Sequence, residues 1–206
     1  MANRLRLLIA SANKGKVAEY RALLDGLDCE LLSLSDVGLD GDIPETGATF
    51  EENARIKAVG YAARSGLLTL ADDSGLEVEA LGGEPGIRSA RYAGEHATDA
   101  DRVAYLLNKL RGVPPERRGA RFVCVIAIAT PAGEVTFCKG ECPGSIVMEP
   151  CGERGFGYDP AFLLPDLGLT MAQLPPEFKN RLSHRGRAAA ATRPVIQRFI
   201  DGPKGR

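Results

Sequence analysis

The order of apolar runs and turn residues predicts an α/β protein with a long mixed β-sheet flanked by helices. Three observations carry that expectation. Leu5 to Ala10 is an unbroken apolar run that suits a strand covered on both faces, and Val17, Tyr20, Leu23 and Leu24 then recur at helical spacing. Val103, Leu106, Leu107 and Leu110 mark a second apolar helix stripe behind Thr98, a good N-cap. Residues 121–129 and 134–140 read as two strands joined at Thr130-Pro131-Ala132-Gly133. A hairpin set among strand–helix units makes the sheet mixed.

The remaining elements follow in order. Cys29 to Ser33 reads as a strand, and Ser35 to Ala48 as a long loop containing Asp40, Asp42, Pro44, Glu45 and Gly47. Loops of that length without regular structure tend to be functional or disordered. Thr49-Phe50-Glu51-Glu52 has the spacing of a capping box, and a helix to about Arg64 buries Phe50, Ala54, Ala58, Tyr61 and Ala62. Asn53 and Lys57 lie on another stripe of it, where pattern alone favours a solvated face. Leu67 to Ala71 reads as a strand, Leu76 to Leu81 as a second extended piece, and residues 81–86 as a turn. Ala161 to Leu164 is a short strand. Phe178 to Arg187 opens the last helix, with Ser183 a plausible N-cap that puts His184 and Arg185 in the first turn.

Composition removes several classes of function. A chain of 206 residues with 44% hydrophobic and 26% charged residues is an ordinary globular sequence, long enough for a substantial core. A net charge of -1 argues against a nucleic acid held on a diffuse basic surface. No apolar run approaches the ~20 residues of a membrane span, and the apolar run at the start is too short for a signal peptide. The expected location is the cytoplasm. Five cysteines without a CxxC pair, and two histidines, do not suit a structural zinc site. Thiols in a reducing compartment are the simpler account.

Four stretches break local rules. Lys14 and Lys16 sit at the start of the first helix, where cations oppose the dipole unless an anion visits. Asp72 and Asp73 crowd the end of a strand, a costly arrangement without a cation nearby; the bland alternative is a polar Asp-Asp-Ser-Gly turn. Arg88, Arg91 and His96 follow in a glycine-rich loop. Phe156, flanked by Gly155 and Gly157, could stack on a flat ring or simply be buried in a turn. His184 and Arg185 again place cations at a helix start. A polyanion with a divalent cation explains both signs of charge. Lys14, Lys16, Lys57 and Lys179 would hold phosphate oxygens, Glu45, Asp72 and Asp73 would offer hard oxygen ligands to Mg²⁺, and Phe156, His184 and Arg185 would suit a base.

The set SANKGK, ETGATFEENARIKA, LADDSGLEVEALGGEPGIRSARYAG, GFGYDPAF and SHRGRA strongly resembles the inosine triphosphatase family, from residue 5 to about 200. That resemblance implies one nucleoside-triphosphate pyrophosphatase domain over residues 1–206, bilobed, with its site in the cleft between lobes, and homodimeric. It implies hydrolysis of dITP, ITP and XTP to the monophosphate and pyrophosphate with Mg²⁺ as cofactor. The partner is then a small purine nucleotide, with no stable nucleic acid and no membrane. By the same resemblance Ser11, Ala12, Asn13, Lys14, Gly15 and Lys16 form the triphosphate loop, and Glu45 is a metal ligand. Asp73 is metal ligand and proton acceptor, with Ser74 touching substrate. Phe156, Gly157, Tyr158, Asp159, Lys179, His184 and Arg185 are substrate contacts around base and sugar. Asp72, Asn53 and Lys57 are further candidates, on chemistry more than motif. A non-catalytic nucleotide sensor is the competing class; it would bind nucleotide and release no pyrophosphate.

Overall fold

A computed structural model describes residues 4–202. Its strands form one sheet of seven in the order β2-β1-β3-β4-β5-β6-β7. These are β1 (Leu5–Ile9), β2 (Cys29–Ser33), β3 (Leu68–Val78), β4 (Gly119–Ala129), β5 (Val135–Ile146), β6 (Phe162–Leu164) and β7 (Leu169–Thr170). β1 runs parallel to β2 and β3, whereas β5, β6 and β7 pair antiparallel, so the sheet is mixed as expected. The helices are α1 (Lys14–Leu23), α2 (Phe50–Ser65), α3 (Asp99–Lys109), α4 (Pro176–Leu182) and α5 (His184–Asp201). No helix among the described residues is long and apolar enough to cross a membrane.

The chain divides into two compact units, the first within Met1–Asp73, Cys124–Gly140 and Gly186–Arg206, the second Ser74–Val123 and Glu141–Arg185. Each has its own core. The first packs Leu7 and Ile9 of β1, Leu68 and Leu70 of β3, and Ile126 and Ile128 of β4 against Tyr20 and Leu24 of α1 and Ala188 and Ile196 of α5. The second packs Leu76 and Val78 of β3 with Val103, Leu106 and Leu110 of α3, Phe122, Tyr158 and Phe162. It also holds Arg118, 2% exposed, whose guanidinium donates to the carbonyls of Leu110, Val113 and Val147. This arginine closes the connection after α3 by satisfying three backbone acceptors at once.

Three expectations need correction. β3 is one continuous strand from Leu68 to Val78, not two extended pieces joined by a turn. Asp-Asp-Ser-Gly is turn-prone locally, but β3 stays extended through these residues, beyond Leu68 to Leu70 where β1 pairs with it and with β4 as its neighbour on the other side, so sheet context overrides local preference. The carboxylates therefore lie mid-strand. Phe178 to Leu182 belongs to the separate helix α4, and an extended Ser183 (φ -68°, ψ 159°) intervenes before α5 begins at His184. At α2, Thr49 accepts from the Glu52 amide, but Glu52 reaches back to Ala48 N at 2.6 Å instead of closing a box on Thr49. At α3 the helix start is as expected, with a reciprocal box between Thr98 and Asp101.

Candidate active site

In the first unit the site begins at the turn between β1 and α1. Asn13 caps α1 by accepting from Lys16 N at 3.0 Å, and its own amide donates to Ser11 Oγ at 3.2 Å. Two of the loop's polar side chains thus shape the turn itself. Ala12 and Lys14 are exposed beside Gly15, and the first turn of α1 carries no acid, so this helix start is electropositive. Lys16 does not hang in solvent. Its ammonium lies 2.9 Å from Asp72 Oδ2.

Strand alternation then separates the two aspartates. Leu68, Leu70 and Asp72 point to the face packed by α1, where Asp72 also accepts from the Cys124 thiol at 3.7 Å. Asp73 points to the opposite face, toward α2. There Asn53 Nδ2 donates to Asp73 Oδ2 at 3.1 Å, and Lys57 Nζ stands 3.8 Å from Asp73 Oδ1. Lys57 also bonds Glu45 Oε1 at 2.6 Å. Asn53 is buried and Lys57 largely so, which overturns the solvated-face expectation for both. Spacing could not reveal this, because the loop that covers them is irregular.

That loop is a strap laid along α2 in the reverse direction. Tyr61 donates to Gly41 O at 3.1 Å, Ile43 packs on Gly60, Lys57 takes Glu45, Asn53 takes Gly47 N at 2.8 Å, and Glu52 takes Ala48 N. Residues 53, 57 and 61 form one i, i+4 row, so a single helix stripe fixes the strap turn by turn. Glu45 is thereby placed beside Asp73, the two carboxylates sharing Lys57.

The electrostatics follow from this crowding. Burial pushes the Asp73 carboxyl above its ordinary pKa and the Glu45 charge adds to that, while Lys57, Lys16 and the Asn53 bond pull it down. Burial alone would depress the Lys57 ammonium, but Asp73, Asp72 and Glu45 outweigh it and hold the group above its usual value. Two hard carboxylates converging on one cation make a donor set suited to Mg²⁺, which takes one or two carboxylates and completes its shell with phosphate and water. No group of three or more His, Cys, Asp or Glu able to hold a metal occurs among the described residues. The five cysteines are free thiols, four of them buried and Cys151 exposed.

The second unit supplies an aromatic and cationic cluster. Lys179 is buried and bonds Asp159 Oδ2 at 2.6 Å, and that oxygen also accepts from Phe156 N at 2.9 Å. The Lys179 ammonium stands 4.6 Å, and the Arg185 guanidinium 5.5 Å, from the centre of the half-buried Phe156 ring. Arg185, 2% exposed, donates to Ser74 Oγ at 2.9 Å. His184 lies stacked on Phe122 with ring centres 4.6 Å apart. Gly155 is in the left-handed region, and a Cβ there would run into the Asp159 carboxylate. Gly157 donates to Asp99 Oδ2 at 2.7 Å, while Tyr158 is buried with its hydroxyl on Ser89 O at 2.9 Å. Tyr158 is therefore committed to the core by its ring and to Ser89 by its hydroxyl. Arg88, Arg91 and His96 are exposed on their glycine-rich segment.

The cluster around Asp73 and the cluster around Ser74 are covalent neighbours. Asn53 and Lys57 address one residue, and Arg185 addresses the next. Sequence reasoning missed Asp99, Phe122, Gly47 and Tyr61. Gly47 read as part of the long loop and Tyr61 as part of an apolar helix face, while no local signal marked Asp99 or Phe122.

A sequence profile of the Ham1 family matches residues 7–195. A dITP/XTP pyrophosphatase of Nocardia farcinica is 51% identical over 202 residues, covering 95% of this chain and 97% of the relative. One from Geobacter sulfurreducens is 52% identical over 185 residues, covering 90% and 93%. Among solved structures, a HAM1 protein from Coxiella burnetii superposes with a TM-score of 0.86 at 42% identity, covering 94% of this chain and 98% of that one. A nucleoside-triphosphatase, dITP/XTP pyrophosphatase, from Mycobacterium abscessus gives 0.73 at 49% identity, covering 92% and 100%.

Proposed function

The chain belongs to the Ham1 family, and from that premise we propose that it hydrolyses dITP, ITP and XTP to the monophosphate and pyrophosphate, keeping them out of DNA and RNA. The observation that carries this reading is the convergence of Glu45 and Asp73 on Lys57, one residue before the Ser74 that Arg185 contacts. The whole chain acts as one domain on a small nucleotide, as a cytoplasmic homodimer, without a nucleic-acid or membrane partner.

Glu45 and Asp73 would hold Mg²⁺ together with phosphate oxygens, and the bound cation supplies charge withdrawal from the phosphate groups. The chain's own residues do the rest. Asp73, raised in basicity by burial, orients a water and accepts its proton as the water attacks the α-phosphorus. The bond from that phosphorus to the bridging oxygen breaks, and pyrophosphate leaves with the electron pair. Lys14, Lys16 and the amides of the Ser11–Lys16 turn meet the charge on the leaving group. Asp72, on the other face, holds Lys16 in place and is not the water's partner. Lys57 balances the paired carboxylates.

Phe156 stacks on the purine, with Lys179 and Asp159 fixing its loop. His184 and Arg185 direct donors to the 6-oxo group of hypoxanthine or xanthine, and adenine would present an amine where these donors need an acceptor. The deciding experiment is an Mg²⁺-dependent assay of dITP, XTP, dATP, dGTP and dTTP that scores pyrophosphate against orthophosphate. Pyrophosphate from dITP and XTP alone is the expected result. Orthophosphate, or equal turnover of dATP, would sink the reading.

A further inference from the structure

We infer that Asn53 is a positioning residue whose single amide ties the Glu45 strap to Asp73, so that the two carboxylates are presented as one unit. The inference rests on the roles given above to Glu45 and Asp73. Asn53 is 2% exposed and sits in the first turns of α2. Its Nδ2 donates to Asp73 Oδ2 at 3.1 Å and its Oδ1 accepts from Gly47 N at 2.8 Å. The orientation of the amide is forced: an ionised carboxylate only accepts, and a backbone N–H only donates. Only an amide of this length satisfies both neighbours at once. Aspartate keeps the acceptor but faces Asp73 with a second negative charge, and an apolar side chain offers neither bond.

Gly47 completes the device. A Cβ there would lie 2.8 Å from Asn53 Oδ1 and 2.6 Å from Glu52 Cβ, so the strap comes this close to α2 only as glycine. Glu45 lies two residues before that contact, and Lys57 holds its carboxylate one helical turn after Asn53. Movement at Asn53 is therefore transmitted to both carboxylates, whereas loss of Lys57 would release charge without freeing the backbone of the strap. A buried asparagine that merely filled space would not need a partner on each side.

The test compares Asn53→Asp, which keeps shape and the Gly47 bond, with Asn53→Ala, which loses both bonds. Three quantities are read: steady-state dITP hydrolysis at saturating Mg²⁺, Mn²⁺ binding to nucleotide-free protein by electron paramagnetic resonance, and thermal melting. We expect kcat to fall more than about fivefold in both variants with KM changed less than about threefold, the pattern of a group that acts in the transition state through others. In Asn53→Ala the Mn²⁺ dissociation constant should rise more than about fivefold, a loss of roughly one carboxylate's alignment. A folded Asn53→Asp protein with a smaller fall in kcat, or an Asn53→Ala protein with a smaller rise in that constant, overturns the inference. Should Asn53→Ala fail to fold, the isosteric Asn53→Asp variant decides. Should the wild-type protein leave dITP intact, the functional reading fails while the Mn²⁺ titration still judges the tie.

Discussion

The strap that carries Glu45 and the loop that carries Phe156 are both irregular connections, held in opposite ways. The strap is fastened to one neighbouring helix by contacts between residues close in sequence: Gly41 with Tyr61, Glu45 with Lys57, Gly47 with Asn53. The Phe156 loop is fastened from distant parts of the chain, by Asp99 to Gly157 and Ser89 to Tyr158. The strap can therefore form with α2, and its carboxylate is set to the precision of a helix stripe. The aromatic loop is assembled only once the second unit's core exists. On the proposed reading, the chemistry that needs two charges in register would sit on the local device, and recognition of a flat base on the distributed one.

The largest test of this contrast is Asp73→Asn. It should lower kcat on dITP by on the order of a thousandfold while leaving the fold intact, as steady-state kinetics and circular dichroism would record. Near-normal turnover would move the chemistry elsewhere. Next is Phe156→Ala, which removes the stacking surface. It should raise KM for dITP by about tenfold or more and leave kcat far less affected, since a base contact serves binding. Arg185→Ala should shrink the preference for dITP over dATP by roughly tenfold, the scale of one lost directed donor; an unchanged ratio removes its base-reading role. Smallest is Tyr61→Phe at the far end of the strap. Losing the bond to Gly41 should cost about 1 kcal/mol in denaturant unfolding and change kcat less than about twofold.

Asp73 also yields a stability prediction whose sign is opposite to that of the usual carboxylate. Its folded pKa is raised, chiefly by burial, so in the metal-free protein the folded state holds the proton more tightly than the unfolded chain. Stability from this group is therefore fully present below the ordinary carboxylate pKa and is lost as pH rises through the raised one. Asp73→Asn should melt higher than wild type at neutral pH, with the gap closing on acidification. A variant that melts lower at neutral pH would show the carboxylate to be stabilising. Inactive yet more stable is the expected signature of a site whose charges are held together for function.

Much of the scaffold was legible because it follows local rules. The run at β1, the Thr98 cap and the α3 stripe, and the turn between β4 and β5 all depend on residues near one another in sequence. So do the apolar positions of α2. What escaped was set by partners far away. β3 continues through Asp72-Asp73-Ser74-Gly75 as part of a sheet in which β4 is its neighbour, and no window around those residues contains that fact. Asn53 and Lys57 looked solvated because the strap that covers them has no periodicity. Asp99 carried no local signal, because its bond to Gly157 joins residues far apart in the chain.

The sequence by itself determined the chemical inventory: carboxylates at 45, 72 and 73, lysines at 14, 16, 57 and 179, an aromatic at 156, and donors at 184 and 185. It also determined the family to which these belong. Only the tertiary structure decided which partners each of the adjacent aspartates faces. Because β3 does not turn, its pleat sends Asp72 toward Lys16 and Asp73 toward Asn53, Lys57 and Glu45. A turn would have left the pair free to point together.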